Sequence, residues 1–95
     1  MPKTLYKTIT GDTQVYVGRC FFFGAEITRL AAAATTMKIY DEASTDKTAG
    51  QLIATLNTTP EKQTDRIMLD KDREIECVGL YVDWAAGLGT IYYHT

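Results

Sequence analysis

Two short runs of apolar and β-branched residues, 36–41 and 51–56, constrain the fold of this chain most strongly. A polar stretch rich in Asp, Ser, Thr, Lys and Gly separates them, which is typical of two antiparallel strands joined at one end. Similar runs recur along the chain, and the four alanines at 31–34 are too few to persist as a helix, so they are predicted to be a connecting turn. The sequence predicts an all-β fold, a jelly-roll-like antiparallel β-sandwich of about eight strands without substantial helix.

Alternation of apolar and polar residues predicts which side chains face the core. The predicted inward-facing residues are Val15 and Val17; Met37 and Ile39; Leu52, Ala54 and Leu56; Ile67 and Leu69; and Val78, Leu80, Val82 and Trp84. The apolar block at 19–30 is predicted to be a strand of its own, covered on both sides, with a bulge or bend at Gly24. Residues 85–89 are predicted to form a hairpin loop, because Gly87 and Gly89 can adopt the positive φ angles of such turns.

The chain length allows one domain. Its 95 residues suffice for a single core, which we place at 13–95. Residues 1–12 carry Leu5 and Ile9 among Lys and Thr residues. This segment is predicted to be either the first edge strand of the sandwich or an N-terminal arm that pairs with a neighbouring subunit.

Composition limits the classes of function that are open to the chain. The hydrophobic fraction of 45% and the charged fraction of 23% are those of an ordinary globular protein. A formal net charge of -2 argues against a nucleic-acid-binding protein, which would carry a basic excess. No apolar run approaches the roughly 18–20 residues of a membrane span, and no secretory signal is evident. We therefore expect a soluble protein that binds neither nucleic acid nor membranes.

The two cysteines, Cys20 and Cys77, lie in different predicted strands among apolar neighbours. This setting predicts buried free thiols, and a disulfide between them stays open as the alternative. A zinc site needs four ligands, which a chain with one histidine and no closely spaced cysteine pair does not supply. We therefore expect no metal and no cofactor.

Groups suited to catalysis are few. Ser44 lies in the polar loop without the glycine-flanked turn that activates a serine nucleophile, and His94 is the penultimate residue. A couple between Cys77 and His94 stays open, because the two residues could sit on neighbouring strands. The chain is nevertheless predicted not to be an enzyme. One acidic series could bind a hard cation but is interpreted as a solvated crossing between strands: Asp70, Asp72, Glu74 and Glu76.

Aromatic residues offer a third kind of site. Several tyrosines are predicted to lie on the face opposite the core, where they would line a subunit interface, pack against a second sheet, or form a platform for sugars or bases. Together with the N-terminal segment they give the candidate partner-binding residues, which are Lys3, Leu5, Tyr6, Lys7, Tyr16, Tyr40, Tyr81 and Tyr92.

The last two thirds of the chain resemble a group of small β-sandwich structural proteins of tailed bacteriophages. The motifs that carry this resemblance are Ile39-Tyr40-Asp41, then Gly50-Gln51-Leu52-Ile53-Ala54-Thr55-Leu56, then Gly79-Leu80-Tyr81-Val82, and Gly89-Thr90-Ile91-Tyr92-Tyr93. The resemblance implies a virion component, first of all a capsid decoration or cement protein that binds and stabilises the shell. A head-fibre, tail or adaptor subunit is the alternative within the same class.

The resemblance also implies partners and a location. These are the major capsid protein or other virion proteins, further copies of the chain in a dimer or trimer, and a final place on the capsid surface after synthesis in the host cytoplasm. A carbohydrate- or peptide-binding β-sandwich module that uses the tyrosine face is the competing hypothesis from a different class.

Overall fold

The computed structural model describes residues 4–28, 35–43, 50–59, 62–84 and 87–95, and this part of the chain contains seven antiparallel strands and one 3-10 turn. The predicted all-β class is confirmed. The predicted turn at 31–34 lies outside the described residues. The strands are β1 (Thr4–Ile9), β2 (Thr13–Thr28), β3 (Thr35–Asp41), β4 (Gln51–Thr58), β5 (Thr64–Met68), β6 (Ile75–Trp84) and β7 (Leu88–His94), with the 3-10 turn at Lys71–Arg73 between β5 and β6.

The strands are hydrogen-bonded into one sheet in the order β1-β7-β2-β6-β3-β4, and β5 pairs with β2 in addition. The expected jelly-roll-like sandwich is therefore not confirmed. The described strands number seven rather than about eight, because the two strands predicted at 13–18 and 19–30 are one continuous strand, β2. Residues 1–12 had two predicted alternatives, and the structure places Thr4–Ile9 as an edge strand of the chain's own sheet. Met1, Pro2 and Lys3 lie outside the described residues.

Strand β2 is long and bent. Its 16 residues would extend for about 50 Å if straight, whereas the longest dimension of the molecule is 39 Å. Its pairing shifts register at three places, and Gly18 within it has a φ of +124°, which only glycine adopts without strain. The bulges therefore allow one strand to bend where the sequence predicted two strands.

The pairing of its neighbours shows how far the sheet curls. Ile9 is opposite Gly89, which is opposite Ile27, so Ile9 lies about 10 Å from Ile27 across two strand spacings. Thr13 follows only four residues after Ile9 and lies within about 14 Å of it. The two ends of β2 are consequently within about 24 Å of each other, roughly half the distance in a straight strand.

The curl brings opposite parts of the sheet into contact through the core. Gly89 on β7 is so close to β3 and β6 that an added Cβ would lie 2.9 Å from Cζ3 of Trp84 and 3.0 Å from Cε of Met37. In a flat sheet β7 and β3 would be separated by two other strands. One apolar cluster therefore contains buried side chains from β1 at one end of the sheet to β4 at the other. Side chains from opposite parts of the inner face therefore bury one another.

A polar seam joins the sheet edge at β4 to β5. The backbone N–H of Asn57 donates to Oδ2 of Asp65 over 2.8 Å, and Lys62 Nζ donates to Oδ1 of the same carboxylate over 2.9 Å. Desolvation acts to raise the pKa of Asp65, but these hydrogen bonds outweigh it and hold that pKa below its usual value. The ionised carboxylate thus fastens the two strands together.

Bulges explain which predicted core residues are wrong. Most of the inward-facing set is buried or packs against the core, but Val17, Leu52 and Val78 are 63%, 48% and 64% exposed. Strand β2 shifts register between Gln14 and Tyr16, just before Val17. It shifts again between Val17 and Cys20, where Val78 of β6 is skipped. On the other side of the sheet, β3 pairs with β4 so that Ile53, the neighbour of Leu52, is skipped. A register shift of one residue turns the following side chains to the other face. Strict alternation therefore fails next to each irregularity.

The predicted hairpin at 85–89 is also wrong. Strand β6 pairs with β2 and β3, whereas β7 pairs with β1 and β2, so the two strands are not neighbours. Residues 85 and 86 lie outside the described part of the chain. Gly87, with a φ of +154°, packs against the ring of Trp84. The glycines serve the close approach of the chain to this ring rather than a hairpin turn.

Candidate interaction surface

Five aromatic side chains share the outer face of the sheet across β1, β7 and β2. We call this set the outer aromatic face; it consists of Tyr6, Phe21, Phe23, Tyr92 and His94. On β7 the inner residues Ile91 and Tyr93 are buried, so the intervening Tyr92 and the terminal His94 point outward. On β2 the inner residue Phe22 is fully buried, and its two neighbours are half-buried. On β1, Tyr6 is 71% exposed and directly opposite Tyr92.

The four rings on β2 and β7 contact one another across the strands. His94 stacks on Phe21, its cross-strand partner, with ring centroids 5.0 Å apart. Phe23 lies 6.1 Å from both His94 and Tyr92. The bulge predicted at Gly24 is confirmed by a register shift between Phe22 and Gly24. This shift places Phe23 between the two β7 rings, and the result is a continuous aromatic surface rather than separate side chains.

Carboxylates border one side of the surface. His94 Nε2 is in contact with Glu74 Oε2, an ion pair whenever the imidazole is protonated, and both side chains are largely covered. Arg19 Nε donates to Glu76 Oε2 over 2.8 Å, and its guanidinium carbon lies 5.5 Å from the centre of the Phe21 ring. Arg19 and Glu76 are mostly exposed, so this pair stabilises the fold little. Its effect is to hold the guanidinium beside the aromatic surface.

A tyrosine–carboxylate pair lies on the other side. The hydroxyl of Tyr92 donates to Oε1 of Glu26 over 2.8 Å. This hydrogen bond raises the pKa of Tyr92, with smaller contributions from desolvation and from the charge of Glu26, while Arg66 acts in the opposite direction. The carboxylate therefore keeps Tyr92 a neutral donor and fixes its ring against Phe23.

Exposed apolar groups extend the surface beyond the aromatic rings. Val78 lies on the outer side of β6, two residues from Glu76, which is opposite Phe21. Met68 is 44% exposed and packs over Gly24, where an added Cβ would collide with its sulfur. Scattered exposed apolar residues are ordinary, but a contiguous group bordered by charges is typical of a binding surface.

The predicted partner-binding residues separate into distinct regions. Tyr6 and Tyr92 lie on the outer aromatic face, and Leu5 turns partly inward against the core. Lys7 is exposed but is opposite the buried Ile91, so it lies on the other side of β1 from Tyr6. Tyr16 also packs inward, with its ring 5.5 Å from that of Tyr93. Lys3 lies outside the described residues.

Tyr40 and Tyr81 form a second pair away from the outer aromatic face. They are opposite each other on β3 and β6, and Tyr81 is only 7% exposed. The chain segment at 41–43 crosses over β6 here, since a Cβ on Gly79 would lie 2.7 Å from the Cα of Ala43. This coverage leaves Tyr81 little surface for a partner.

Sequence reasoning missed Phe21, Phe23 and His94 as members of the surface. The block at 19–30 was predicted to be covered on both sides. This is wrong, because Phe22 is the one phenylalanine of the three that is fully buried, and its neighbours Phe21 and Phe23 lie half-buried on the outer face. One signal was available: three successive phenylalanines in a strand cannot all face the core, since side chains alternate between the two faces of a sheet. No signal in the sequence places His94 opposite Phe21.

In the part of the chain that the structure describes, the groups considered for chemistry are not brought together as a catalytic or metal site. Cys77 Sγ donates to the carbonyl of Ile75, whereas His94 contacts Glu74, so the Cys77–His94 couple is not formed. Ser44 lies outside the described residues. The 3-10 turn at Lys71–Arg73 interrupts the extended geometry that would have aligned Asp70, Asp72, Glu74 and Glu76. Within the described ranges, no three His, Cys, Asp or Glu side chains are arranged to hold a metal ion.

Comparisons of the chain with protein-family models, with curated proteins and with solved structures find no match. Among the described residues, no helix has the length and apolar character to span a membrane.

Proposed function

We propose that this chain is a virion structural protein, in the first place a capsid decoration or cement protein that binds the shell and stabilises it. The observation that carries the proposal is the outer aromatic face, in which four half-buried rings contact one another beside the exposed Tyr6 and are bordered by charged side chains. The resemblance of four sequence motifs to phage β-sandwich structural proteins supplies the class of partner. No catalytic step is assigned to the chain.

The physical requirements of such a role agree with the surface. Tyrosine, phenylalanine and arginine are enriched at protein–protein contacts, because large rings bury much apolar area at a modest entropic cost. Tyr6, Phe23 and Arg19 provide these groups on one side of the sheet. A small surface binds weakly by itself, but a dimer or trimer that engages a repetitive shell gains affinity from multiplicity.

In this proposal the N-terminal segment acts as a strand of the folded sheet and not as a detachable arm. Thr4–Ile9 is paired with β7 along its whole length, and Ile9 is buried in the core. Its outer residue Tyr6 lies opposite Tyr92 and thus joins the same surface, whereas Lys7 is opposite the buried Ile91 and does not. We propose that β1 contacts the major capsid protein as the exposed edge of the sheet, not as a free extension.

Electron microscopy of purified particles from cells that produce the chain tests this function. A decoration protein is expected as regular extra density on the outer capsid surface into which the sheet fits with its outer aromatic face toward the shell. Density confined to the tail, a fibre or the portal region would support the head-fibre, tail or adaptor alternative instead. Absence of the chain from particles, checked by mass spectrometry, would refute the virion proposal altogether.

A carbohydrate- or peptide-binding module is the second candidate, and one observation favours it. Tyr6 is 71% exposed beside Tyr92, whose hydroxyl is held by Glu26. An exposed ring can stack on a sugar, and a nearby carboxylate can accept hydrogen bonds from the sugar hydroxyls. A glycan array would give reproducible binding that Tyr6→Ala abolishes if this candidate is right, and no binding if the surface serves protein contacts only.

A further inference from the structure

The two cysteines are direct cross-strand partners. Cys20 on β2 and Cys77 on β6 are opposite each other in the antiparallel pairing, next to the partners Phe21 and Glu76. Side chains at opposite positions of two antiparallel strands share one face of the sheet. Here that face is the inner one, because both cysteines belong to the buried apolar cluster and are 0% and 2% exposed. Both are free thiols in this structure, as predicted.

Backbone geometry at this position suits a covalent link. Opposite Cα atoms of an antiparallel pair are about 4.5–5.5 Å apart, depending on whether the pair is hydrogen-bonded. Disulfides join Cα atoms that are about 4.4–6.8 Å apart. The first range lies within the second, and both side chains are on the inner face, so the backbone spacing of this pair permits a disulfide.

We propose that Cys20 and Cys77 form an intrachain disulfide that joins β2 to β6 when the chain folds in the presence of a disulfide oxidant such as oxidised glutathione. The thiolate of one cysteine attacks a glutathione sulfur and expels one glutathione. The second thiolate then attacks the protein sulfur of the mixed disulfide and expels the other glutathione. Two protein thiols and one oxidised glutathione thus give one protein disulfide and two reduced glutathiones, which take up the two cysteine protons.

Burial decides when this exchange takes place. Desolvation is the main cause that raises the pKa of Cys20 to about 11 and that of Cys77 to about 12, and nearby Asp41 adds to both shifts. The folded chain therefore holds almost no thiolate and admits no oxidant to either sulfur. The disulfide forms while the strands assemble, and once formed it is protected from reductants by the same burial.

Refolding in a glutathione redox buffer tests the proposal. The reduced, denatured chain is returned to native conditions with and without oxidised glutathione, and free thiols are counted after denaturation. We expect a monomer that has lost both thiols and two hydrogen masses, and whose unfolding temperature exceeds that of the reduced chain by about 10 °C or more. A reductant added to the denatured chain should abolish the difference.

Single-thiol variants provide the control. Cys20→Ala and Cys77→Ala should each show the same unfolding temperature with and without oxidant, because neither can close the bond within one chain. If refolding is inefficient, the folded protein is incubated with oxidised glutathione at increasing temperature, and thiol loss should accelerate as the chain opens. Thiols that stay free under both protocols, or products that are mainly glutathione adducts or linked dimers, would overturn the proposal.

Discussion

The inner and outer faces of β2 differ sharply over three adjacent residues. Phe22 is fully buried in the apolar cluster, while Phe21 and Phe23 lie half-buried on the outer side against His94 and Tyr92. The same residue type therefore contributes to the fold at one position and to a surface at the next. Hydrophobicity alone does not distinguish the two roles; the face of the strand does.

The two faces of the sheet have different roles. The inner face supplies burial from β1 to β4, and the curl of β2 allows it to cover itself. On the outer face the rings are only partly covered, and Tyr6 is largely exposed. If this division is right, substitutions on the inner face change stability, and substitutions on the outer face change binding.

Phe22→Ala should give the largest effect. Removing a fully buried phenylalanine leaves a cavity in the core and lowers the free energy of unfolding by about 3–5 kcal/mol. The matched control is Phe23→Ala, for which about 1 kcal/mol is expected because the ring is only half covered. Urea unfolding followed by circular dichroism measures both. Equal losses for the two variants would contradict the division between the faces.

Gly89→Ala tests the contact that the curl creates inside the sheet. The new methyl group would press on Trp84 and Met37, so we expect a loss of about 1–3 kcal/mol from overpacking. Thr8→Ala, on the exposed side of β1, should change stability by less than about 0.5 kcal/mol. Thermal unfolding of both variants provides the measurement. An unchanged unfolding temperature for Gly89→Ala would mean that β7 does not face β3 across the core.

Asp65→Asn tests the polar seam between β4 and β5. Asparagine keeps the shape but loses the charge-assisted hydrogen bonds to Asn57 and Lys62, and a loss of about 1 kcal/mol is expected at neutral pH. The folded state lowers the pKa of Asp65, so its contribution is present above the unfolded value of 3.8 and disappears as the pH falls through the folded value.

The pH dependence of stability tests whether the charge of Asp65 is responsible. The parent protein should lose its advantage over Asp65→Asn as the pH is lowered below about 4, and the two unfolding curves should converge in acid. A difference in stability that is the same at pH 7 and in strong acid would show that the carboxylate charge plays no part.

Local sequence patterns predicted where the strands lie. They did not predict the bulges or the partners of the strands, because these depend on pairing between distant segments. Met37 and Ile39 were assigned correctly to the core because alternation in β3 is regular up to that point. Val17 and Val78 were not, because the bulge between β2 and β6 depends on how two distant segments align. The partners of β6 and β7 were missed for the same reason, since Gly87 and Gly89 suit a hairpin and a close approach to Trp84 equally well.

The candidate surface was predicted in part. Tyr6 and Tyr92 were among the candidate partner-binding residues, and both lie on the outer face. Tyr16 and Tyr81, from the same set, are largely covered instead. Phe21, Phe23 and His94 join the two outward tyrosines only through the pairing of β2 with β7 and the bulge at Gly24. The sequence alone does not show that these residues are adjacent, because their adjacency depends on which strands pair.

The double variant Tyr6→Thr/Phe23→Thr tests the central claim most directly, because threonine preserves strand propensity while removing both rings. Its unfolding temperature and its attachment to purified particles are measured together, with Leu52→Thr as a control at an exposed apolar position on β4. The account predicts that the double variant stays folded, within about 8 °C of the parent, but no longer attaches, whereas Leu52→Thr attaches normally. A double variant that attaches as well as the parent, or that unfolds as readily as Phe22→Ala, would contradict it.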